Sequence, residues 1–249
     1  MKAVKKRLKR TVLAWCVLCA VLLVFGVLIY RGVLWFNMPS RLQYPVRGVD
    51  ISHYQGTVDF ATIAAQDVQF VFLKATEGSG SVDECFSTNW ENARNSGLCV
   101  GAYHFFSFDS AAETQADNFC ALVPNEADAL PPVIDLEFYR SKDLPEDETV
   151  KRNLAVLVSR FTEFYGRKPI IYTTDKCWKR YLEDADFDYT LWIRSVYSPP
   201  FDYYKPEWRF WQYNSRGRLE GYEGDESFID LNVYRGSWND FQMEFFRKK

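Results

Sequence analysis

The sequence has little histidine and cysteine, and it has no acidic residue before position 50. The two histidines are His53 and His104, and the four cysteines beyond residue 30 are separated by 14, 21 and 57 residues. These spacings resemble no zinc-binding pattern, so a structural metal site is not expected. Internal repeats and low-complexity segments are absent as well. With 47% apolar and 25% charged residues, the 249-residue chain has ordinary globular composition, which excludes a disordered or fibrous protein.

The charged residues are unevenly distributed. Six of the 30 basic residues lie in the first ten positions, so the chain beyond residue 30 has 24 basic and 33 acidic side chains and a formal net charge of −9. An acidic body lacks the positive surface that phosphate contacts need, which argues against a nucleic-acid partner. Aromatic residues are abundant, with 8 Trp, 15 Tyr and 20 Phe. This content suits a groove whose walls stack on sugar faces.

The N-terminal region predicts a membrane anchor. Residues 12–30 carry no charge, and a helix of that length spans about 29 Å, close to the hydrocarbon core of a bilayer. Because basic residues precede this run, we expect a cytoplasmic tail at 1–11, a transmembrane signal anchor at 12–30 and the rest of the chain outside the cytoplasm. A buried helix is disfavoured because the segment has no polar face. A cleaved signal peptide, which would make the protein secreted, is disfavoured because no small-residue cleavage site follows the run.

The four outer cysteines would then lie in a compartment where disulfides can persist. Cys85, Cys99, Cys120 and Cys177 allow three pairings, and their positions in the sequence do not select one. The disulfide pattern stays open at this point.

Beyond a tether at residues 31–46, strand-like and helix-like segments alternate, which indicates a parallel sheet. The eight candidate strands are 48–52, 68–75, 98–106, 132–138, 169–173, 190–196, 208–213 and 228–234. The five candidate helices are 59–66, 83–96, 111–122, 148–165 and 176–182. Eight strands favour an α/β fold with a closed, TIM-barrel-like (β/α) barrel over 47–239, irregular and with reduced helices in its last third. A C-terminal tail would follow at 240–249, and a doubly wound open sheet is the alternative fold.

Two carboxyl groups share one face of the fourth candidate strand. Asp135 and Glu137 are two residues apart in an otherwise apolar segment, and the side chains of a strand alternate between its faces. Repulsion and desolvation raise the pKa of one member of such a pair, which leaves a protonated acid beside an ionised partner near neutral pH. Cleavage of a glycosidic bond needs that combination. The alternative is a solvated strand end that carries two ordinary acids.

The other candidate site residues come from the same rim, because the functional groups of a barrel gather where its strands end. Aromatic and amide side chains there are predicted sugar contacts, with simple packing as the alternative. These residues are Tyr103, Tyr172, Trp192, Gln212 and Tyr213. His104 is interpreted as a core histidine, and Lys74 with Glu77 as an ion pair under the rim.

Six sequence blocks together resemble glycoside hydrolase family 25, the N-acetylmuramidase or lysozyme family. In chain order they are GVDISHYQG (48–56), FVFLKATEG (70–78), GAYHF (101–105), PVIDLE (132–137), WQY (211–213) and IDLN (229–232). The resemblance covers the whole outer domain. It implies a flattened, irregular (β/α) barrel that hydrolyses the β-1,4 bond between N-acetylmuramic acid and N-acetylglucosamine in the glycan strands of peptidoglycan. It implies neither a metal nor an organic cofactor.

The resemblance also assigns roles to four acids. Glu137 matches the family's general acid and Asp135 its partner, while Asp50 and Asp230 match the acids of the first and last strands. Two same-face residues of one strand approach a sugar from one side, which is awkward for an acid and a nucleophile that should flank the bond. The Asp-x-Glu pair resembles that of substrate-assisted enzymes, and this resemblance implies a retaining reaction in which the 2-acetamido oxygen attacks the anomeric carbon. A direct nucleophile, either Asp50 or Asp135, is the competing interpretation. The family's usual cell-wall-binding repeats are missing.

Two functions are compatible with these patterns. The first is a peptidoglycan hydrolase held at the membrane by its N-terminal helix, and the second is a non-hydrolysing peptidoglycan-binding module on the same fold. Four acids in one cleft repel one another and lose solvation, so a pure binder has no reason to keep them, and hydrolysis is favoured. A chitinase is disfavoured because the Asp-rich run that precedes the catalytic Glu in that family is absent. The oligomeric state stays open.

Overall fold

The computed structural model describes residues 2–139 and 144–246, and the chain divides into two compact units, 1–36 and 37–249. The first unit contains helix α1 (Lys2–Tyr30), whose segment Lys5–Tyr30 is long and apolar enough to cross a membrane. The second unit begins at Asn37. The predicted tether is therefore too long, because its last ten residues belong to the second unit, where Asn37 and Val46 are buried.

The described residues of the second unit form nine strands and six α-helices. The strands are β1 (Arg47–Ile51), β2 (Phe70–Glu77), β3 (Ser81–Val82), β4 (Cys99–Phe105), β5 (Val133–Leu136), β6 (Ile170–Thr174), β7 (Thr190–Arg194), β8 (Trp208–Gly217) and β9 (Ile229–Tyr234). The helices are α2 (Phe60–Ala64), α3 (Phe86–Asn95), α4 (Ala112–Leu122), α5 (Asp147–Tyr165), α6 (Asp175–Tyr181) and α7 (Trp238–Phe245). A short 3-10 helix, His53–Gln55, follows β1.

Eight of the strands close into a barrel, in the order β1, β2, β4, β5, β6, β7, β8 and β9, and β1 pairs with both β2 and β9. Strand β3 only extends β2 as an antiparallel partner. The closed barrel is confirmed, and so are the reduced helices of its last third, because residues 195–228 contain no helix. Strand β9 runs antiparallel to β8 and β1. The expectation of an all-parallel sheet is therefore wrong for this strand, because the chain turns back over residues 218–228 and pairs directly with β8 as its antiparallel neighbour.

The outer face of the barrel packs against helices α2 to α6. The longest of these, α5, buries an apolar stripe at helical spacing and ends at Gly166, which adopts the left-handed conformation with φ 66°. Its buried residues are Val150, Leu154, Leu157, Val158, Phe161 and Tyr165. They join one hydrophobic cluster with the outward-facing residues of the strands, such as Ile134 and Ile171.

The interior of the barrel is filled by aromatic rings at the end where the parallel strands begin. Two glycines make room for them, because a Cβ atom on Gly48 would lie 2.3 Å from the ring of Phe70 and one on Gly101 would lie 2.6 Å from the ring of Phe72. Helix α7 contributes Phe241 and Phe245 to the same cluster. The prediction of a C-terminal tail is therefore wrong for residues 240–245, which form part of this helix.

The cysteines form no disulfide in the part of the chain that the structure describes, which includes all six of them. None of the three pairings left open by the sequence is present. Cys177 is buried, and Cys85, Cys99 and Cys120 are partly buried.

Candidate active site

A cavity of about 190 Å³ lies at the end of the barrel where the parallel strands end. Its lining includes all four predicted acids, Asp50, Asp135, Glu137 and Asp230. It also includes three predicted sugar contacts, Tyr103, Tyr172 and Trp192. Four further residues line the cavity that were predicted neither as catalytic acids nor as sugar contacts, namely Ser52, Tyr54, Lys74 and Phe105. Ser52 and Tyr54 directly follow β1, and their place just beyond a strand end was the signal that could have identified them.

The two remaining predicted sugar contacts do not line the cavity. Gln212 is 1% exposed and hydrogen-bonds to Asp50, while Tyr213 belongs to the outer hydrophobic cluster and accepts a hydrogen bond of 3.4 Å from Arg47. Neighbouring residues of a strand face opposite sides, so Gln212 and Tyr213 cannot both point inward. The prediction of Tyr213 as a sugar contact is therefore wrong. Gln212 was also predicted as a sugar contact, but it hydrogen-bonds to Asp50 instead.

The strands bring the four acids together in two ways. Asp135 lies in β5 and Glu137 follows that strand directly, so alternation turns both side chains to the cavity. Asp50 lies near the end of β1, whereas Asp230 lies near the start of β9, and the two residues are paired in register. Only the antiparallel direction of β9 puts its first residues at the rim where the other strands end.

Asp50 is held by two buried amide side chains. Its Oδ2 atom accepts hydrogen bonds from Gln212 at 3.0 Å and from Asn232 at 2.7 Å. These amides are oriented in turn, because Tyr172 donates to Gln212 and Trp192 donates to Asn232, each at 2.9 Å. Tyr172 and Trp192, both predicted as sugar contacts, therefore also orient the two amide side chains that hydrogen-bond to Asp50.

Asp50 and Asp230 interact directly. Burial raises the pKa of both carboxyl groups, and for Asp230 the charge of Asp50 raises it further. Because two neighbouring buried carboxylates repel each other, the pair favours a state in which one of them carries a proton. The two amide donors oppose the rise for Asp50, so Asp230 is the member that holds the proton more strongly.

Asp135 and Glu137 form the second acidic pair. Asp135 is 8% exposed, and its Oδ1 atom is buried without a hydrogen-bond partner among the described residues. Burial raises its pKa well above the usual value, and the charges of Glu137 and Asp50 add to the effect. Burial also raises the pKa of Glu137, while the positive charge of Arg194 opposes the rise. The pair therefore favours sharing a proton over losing both.

Two cations complete the electrostatics of the cavity. Lys74 forms an ion pair with Glu77 at 2.7 Å, as the sequence predicts, and its Nζ atom lies 5.1 Å from the centre of the Phe105 ring. Arg194, at the end of β7, interacts electrostatically with Glu137, Asp50 and Asp230. Both charges favour the ionised forms of nearby acids. No three acidic, histidine or cysteine side chains of the described residues are grouped so that they could hold a metal ion.

His104 is a core residue, in agreement with its interpretation from the sequence. Its Nδ1 atom lies 2.7 Å from the Thr76 hydroxyl and its Nε2 atom 3.0 Å from Oε1 of Gln115. Burial lowers its pKa to about 4, so the ring is neutral near pH 7. It does not line the acidic cavity.

Comparison with known proteins identifies the family. The family model of glycosyl hydrolases family 25 matches residues 49–222. The structure of a family 25 glycosyl hydrolase from Bacillus anthracis is similar, with a TM-score of 0.76 and 45% identity, over 82% of this chain and 94% of that one. The uncharacterized protein YegX of Escherichia coli K12 is 32% identical over 86% of this chain and 78% of its own length. Lysozyme M1 of Streptomyces globisporus is 31% identical over 77% of this chain and 68% of its own. The chain therefore belongs to glycosyl hydrolase family 25 and is a glycoside hydrolase.

Proposed function

We propose that the protein is a membrane-anchored muramidase that cleaves the β-1,4 bond between N-acetylmuramic acid and N-acetylglucosamine in peptidoglycan. Relatives named lysozyme and N,O-diacetylmuramidase support the substrate class. The observation that carries the proposal is the pair Asp135 and Glu137, which are adjacent on one side of a buried cavity and have raised pKa values. A glycosidic bond needs a protonated acid next to an ionised group, and such a pair supplies both.

Glu137 is the proposed general acid. Its carboxyl group lines the cavity and makes no hydrogen bond to the described residues, so its proton is free to move to the leaving oxygen. After the leaving sugar departs, the same carboxylate takes a proton from the attacking water. The charge of Arg194 stabilises this carboxylate between the two steps.

Asp135 is the proposed partner of the substrate's 2-acetamido group. The Asp135 carboxyl group lines the cavity, where it can accept the acetamido N–H, and this would orient the acetamido oxygen toward the anomeric carbon. A hydrogen bond to the carboxylate form lowers the pKa of Asp135. Substrate binding would thereby move the shared proton to Glu137, where the acid is needed. Water then attacks the anomeric carbon of the resulting oxazolinium ion from the face that the leaving group occupied, opposite the acetamido oxygen, so configuration is retained.

A direct nucleophile is the competing mechanism. Asp50 is poorly suited to it, because two amide donors already occupy its Oδ2 atom and Asp230 is its paired neighbour in register. Asp135 remains a candidate nucleophile, and removal of the substrate's acetamido group separates the two mechanisms. We expect a glycan with a 2-hydroxyl group in place of the 2-acetamido group to bind without being cleaved. Cleavage of that glycan at a rate near that of the parent compound would contradict the substrate-assisted mechanism.

The test of hydrolysis is Glu137→Gln in the full-length protein in detergent. Gln keeps the shape of the side chain but cannot donate the proton, so we expect reducing-end release from peptidoglycan to fall about 10²- to 10⁴-fold while glycan fragments still bind. Glu163→Gln, an exposed position on α5, is the matched control and should leave the rate unchanged. A variant that keeps more than about a tenth of the wild-type rate would refute the role of Glu137. A wild-type protein that binds glycan without cleaving it would indicate the binding module instead.

The anchor is a separate part of the proposal. It rests on α1, whose segment Lys5–Tyr30 is long and apolar enough to cross a membrane and is exposed nearly throughout. Within this helix the uncharged residues 12–30 follow a basic stretch in the first ten residues. We expect the protein in the membrane fraction with its N-terminus uncleaved and its barrel accessible from outside the cytoplasm. Recovery of a soluble protein whose N-terminus lies near residue 38 would show a cleaved signal sequence and overturn this part alone.

A further inference from the structure

A second, larger cavity lies beside the acidic one. Its volume is about 980 Å³, against about 190 Å³ for the cavity that holds the four acids. Its wall includes Phe138, which follows Glu137 in the chain, and Thr174 and Arg194, the last residues of β6 and β7. A group attached to a sugar in the acidic cavity can therefore extend into the second one. We call this second cavity the side groove.

The side groove is lined by more cations than acidic side chains. Of its cations, Arg180 is paired with Asp147 at 2.6 Å, whereas Lys176 and Arg194 form no hydrogen bond or ion pair with the described residues. Its one acidic side chain, Asp175, is already occupied, since it accepts hydrogen bonds from Lys179 and Tyr204, each at 3.0 Å. Two unpaired cations in one groove stand out on a body with a net charge of −9. They favour an anionic ligand.

Arg194 connects this groove to the proposed chemistry. It is half-buried, it lines the side groove, and it interacts electrostatically with Glu137. In register it lies between Thr174 of β6 and Gln212 of β8, and Gln212 holds Asp50. A planar guanidinium group suits a carboxylate, which it can bind through two parallel hydrogen bonds. A carboxylate in the groove would thus be bound next to the acids.

We propose that the side groove binds the peptide stem of the substrate through its carboxylates, with Lys176 and Arg194 as the binding cations. This inference rests on the proposed function, and it specifies the substrate as glycan strands that carry peptides with free carboxylates. The sugar rings of a glycan strand are uncharged, so its anions are the lactyl carboxylate, where no peptide is attached, and the carboxylates of the peptides. The stem leaves the sugar through the lactyl group and not through the scissile bond, which allows it to enter a neighbouring groove.

The test compares three soluble glycans of equal length with the full-length enzyme. One carries peptides with free carboxylates, the second carries the same peptides with those carboxylates amidated, and the third carries no peptide. We expect wild-type kcat/KM to be about tenfold higher on the first glycan than on the second, the size of one charge-assisted contact. Lys176→Gln should reduce this ratio at least threefold, mainly through KM. Lys168→Gln, a surface lysine paired with Asp188, is the matched control and should leave the ratio unchanged.

Two results would overturn the inference. One is equal kcat/KM of the wild type on the amidated and free peptides. The other is a loss of kcat/KM in Lys176→Gln that is as large on the peptide-free glycan as on the glycan with free peptide carboxylates. The group bound by Lys176 would then be the lactyl carboxylate. Neither result contradicts the proposed function. In this experiment the proposed function fails only if the wild type cleaves none of the three glycans.

Discussion

The two ends of the barrel interior are built from the same strands and differ completely in chemistry. Where the parallel strands begin, the inward positions are aromatic, and rings such as Phe70, Phe72 and Phe210 pack on one another and on α7. A few residues further along the same strands, the inward positions are carboxyl groups and their hydrogen-bond donors. One end of the interior therefore stabilises the fold, and the other end gives up part of that stability for chemistry.

The acidic end of the interior lowers the stability of the folded protein. An unpartnered buried oxygen such as Oδ1 of Asp135 loses its water without gaining a hydrogen bond, and such a group costs about 1–3 kcal/mol. Four carboxyl groups with mutually raised pKa values add to this cost whenever they ionise. The aromatic end offsets it, because fully buried rings are among the largest contributions that single side chains make to folding. Substitutions at the two ends should therefore have opposite effects on stability.

The largest effect on stability is expected from Phe241→Ala at the aromatic end. Phe241 is fully buried in α7, with ring centroids 5.1 Å from Tyr234 and 5.8 Å from Phe70. Loss of its ring should lower the free energy of unfolding by about 3–5 kcal/mol, measured by denaturant titration, while the activity of the molecules that remain folded is unchanged. Met243→Ala, on the exposed side of the same helix, should change stability by no more than about 0.5 kcal/mol. Loss of activity in folded Phe241→Ala protein would contradict the separation of the two ends.

A smaller effect, of opposite sign, is expected from Asp135→Asn at the acidic end. The pKa of Asp135 is higher in the folded protein than in the unfolded chain, so its contribution to stability is full below about pH 4 and is lost as the pH rises through the folded value. Asn does not ionise and avoids that loss. The melting temperature of Asp135→Asn should therefore exceed that of the wild type by a margin that grows as the pH rises from about 4 toward 8.

The expected margin in melting temperature follows from the size of the pKa shift. Each unit by which the folded pKa exceeds the unfolded one is worth about 1.4 kcal/mol, and about 1 kcal/mol moves the melting temperature of a chain of this size by roughly 2–4 °C. Asp225→Asn, at an exposed position, should give a difference that does not vary with pH. A margin for Asp135→Asn that shrinks with rising pH would show that the folded protein favours the ionised carboxylate.

The smallest effect is expected from a pair of matched hydroxyl deletions. Tyr172→Phe removes the hydrogen bond of 2.9 Å to Gln212, which leaves the amide that holds Asp50 less well oriented. We expect a loss of about 1 kcal/mol of transition-state stabilisation, which is roughly a fivefold fall in kcat/KM. Tyr213→Phe deletes a hydroxyl on the outer face of β8 and should leave kcat/KM unchanged. Equal losses in the two variants would contradict the assignment of Tyr172 to the inner network and Tyr213 to the outer core.

Much of the barrel could be predicted because strands and helices depend on short-range patterns. All eight barrel strands and five of the six helices of the second unit overlap the predicted segments, and the shared face of Asp135 and Glu137 follows from strand alternation alone. Helix α7 was missed although its start carries a recognisable signal. Ser237 and Asp240 form a capping box, in which the Ser237 side chain accepts from the Asp240 N–H and the Asp240 side chain accepts from the Ser237 N–H.

Most of the segments, the candidate acids and the resemblance to the family could be predicted from the sequence, because each of these depends on residues that are close together in the chain. The direction of β9, which brings Asp230 to Asp50 across 180 residues of chain, is visible only in the folded protein. The same holds for which side chains lack partners, namely Oδ1 of Asp135 in the cavity and Lys176 in the side groove, within the part of the chain that the structure describes. The physical reason is that burial, pKa and hydrogen bonding depend on all the groups around an atom. Most of those groups come from strands that are distant in sequence.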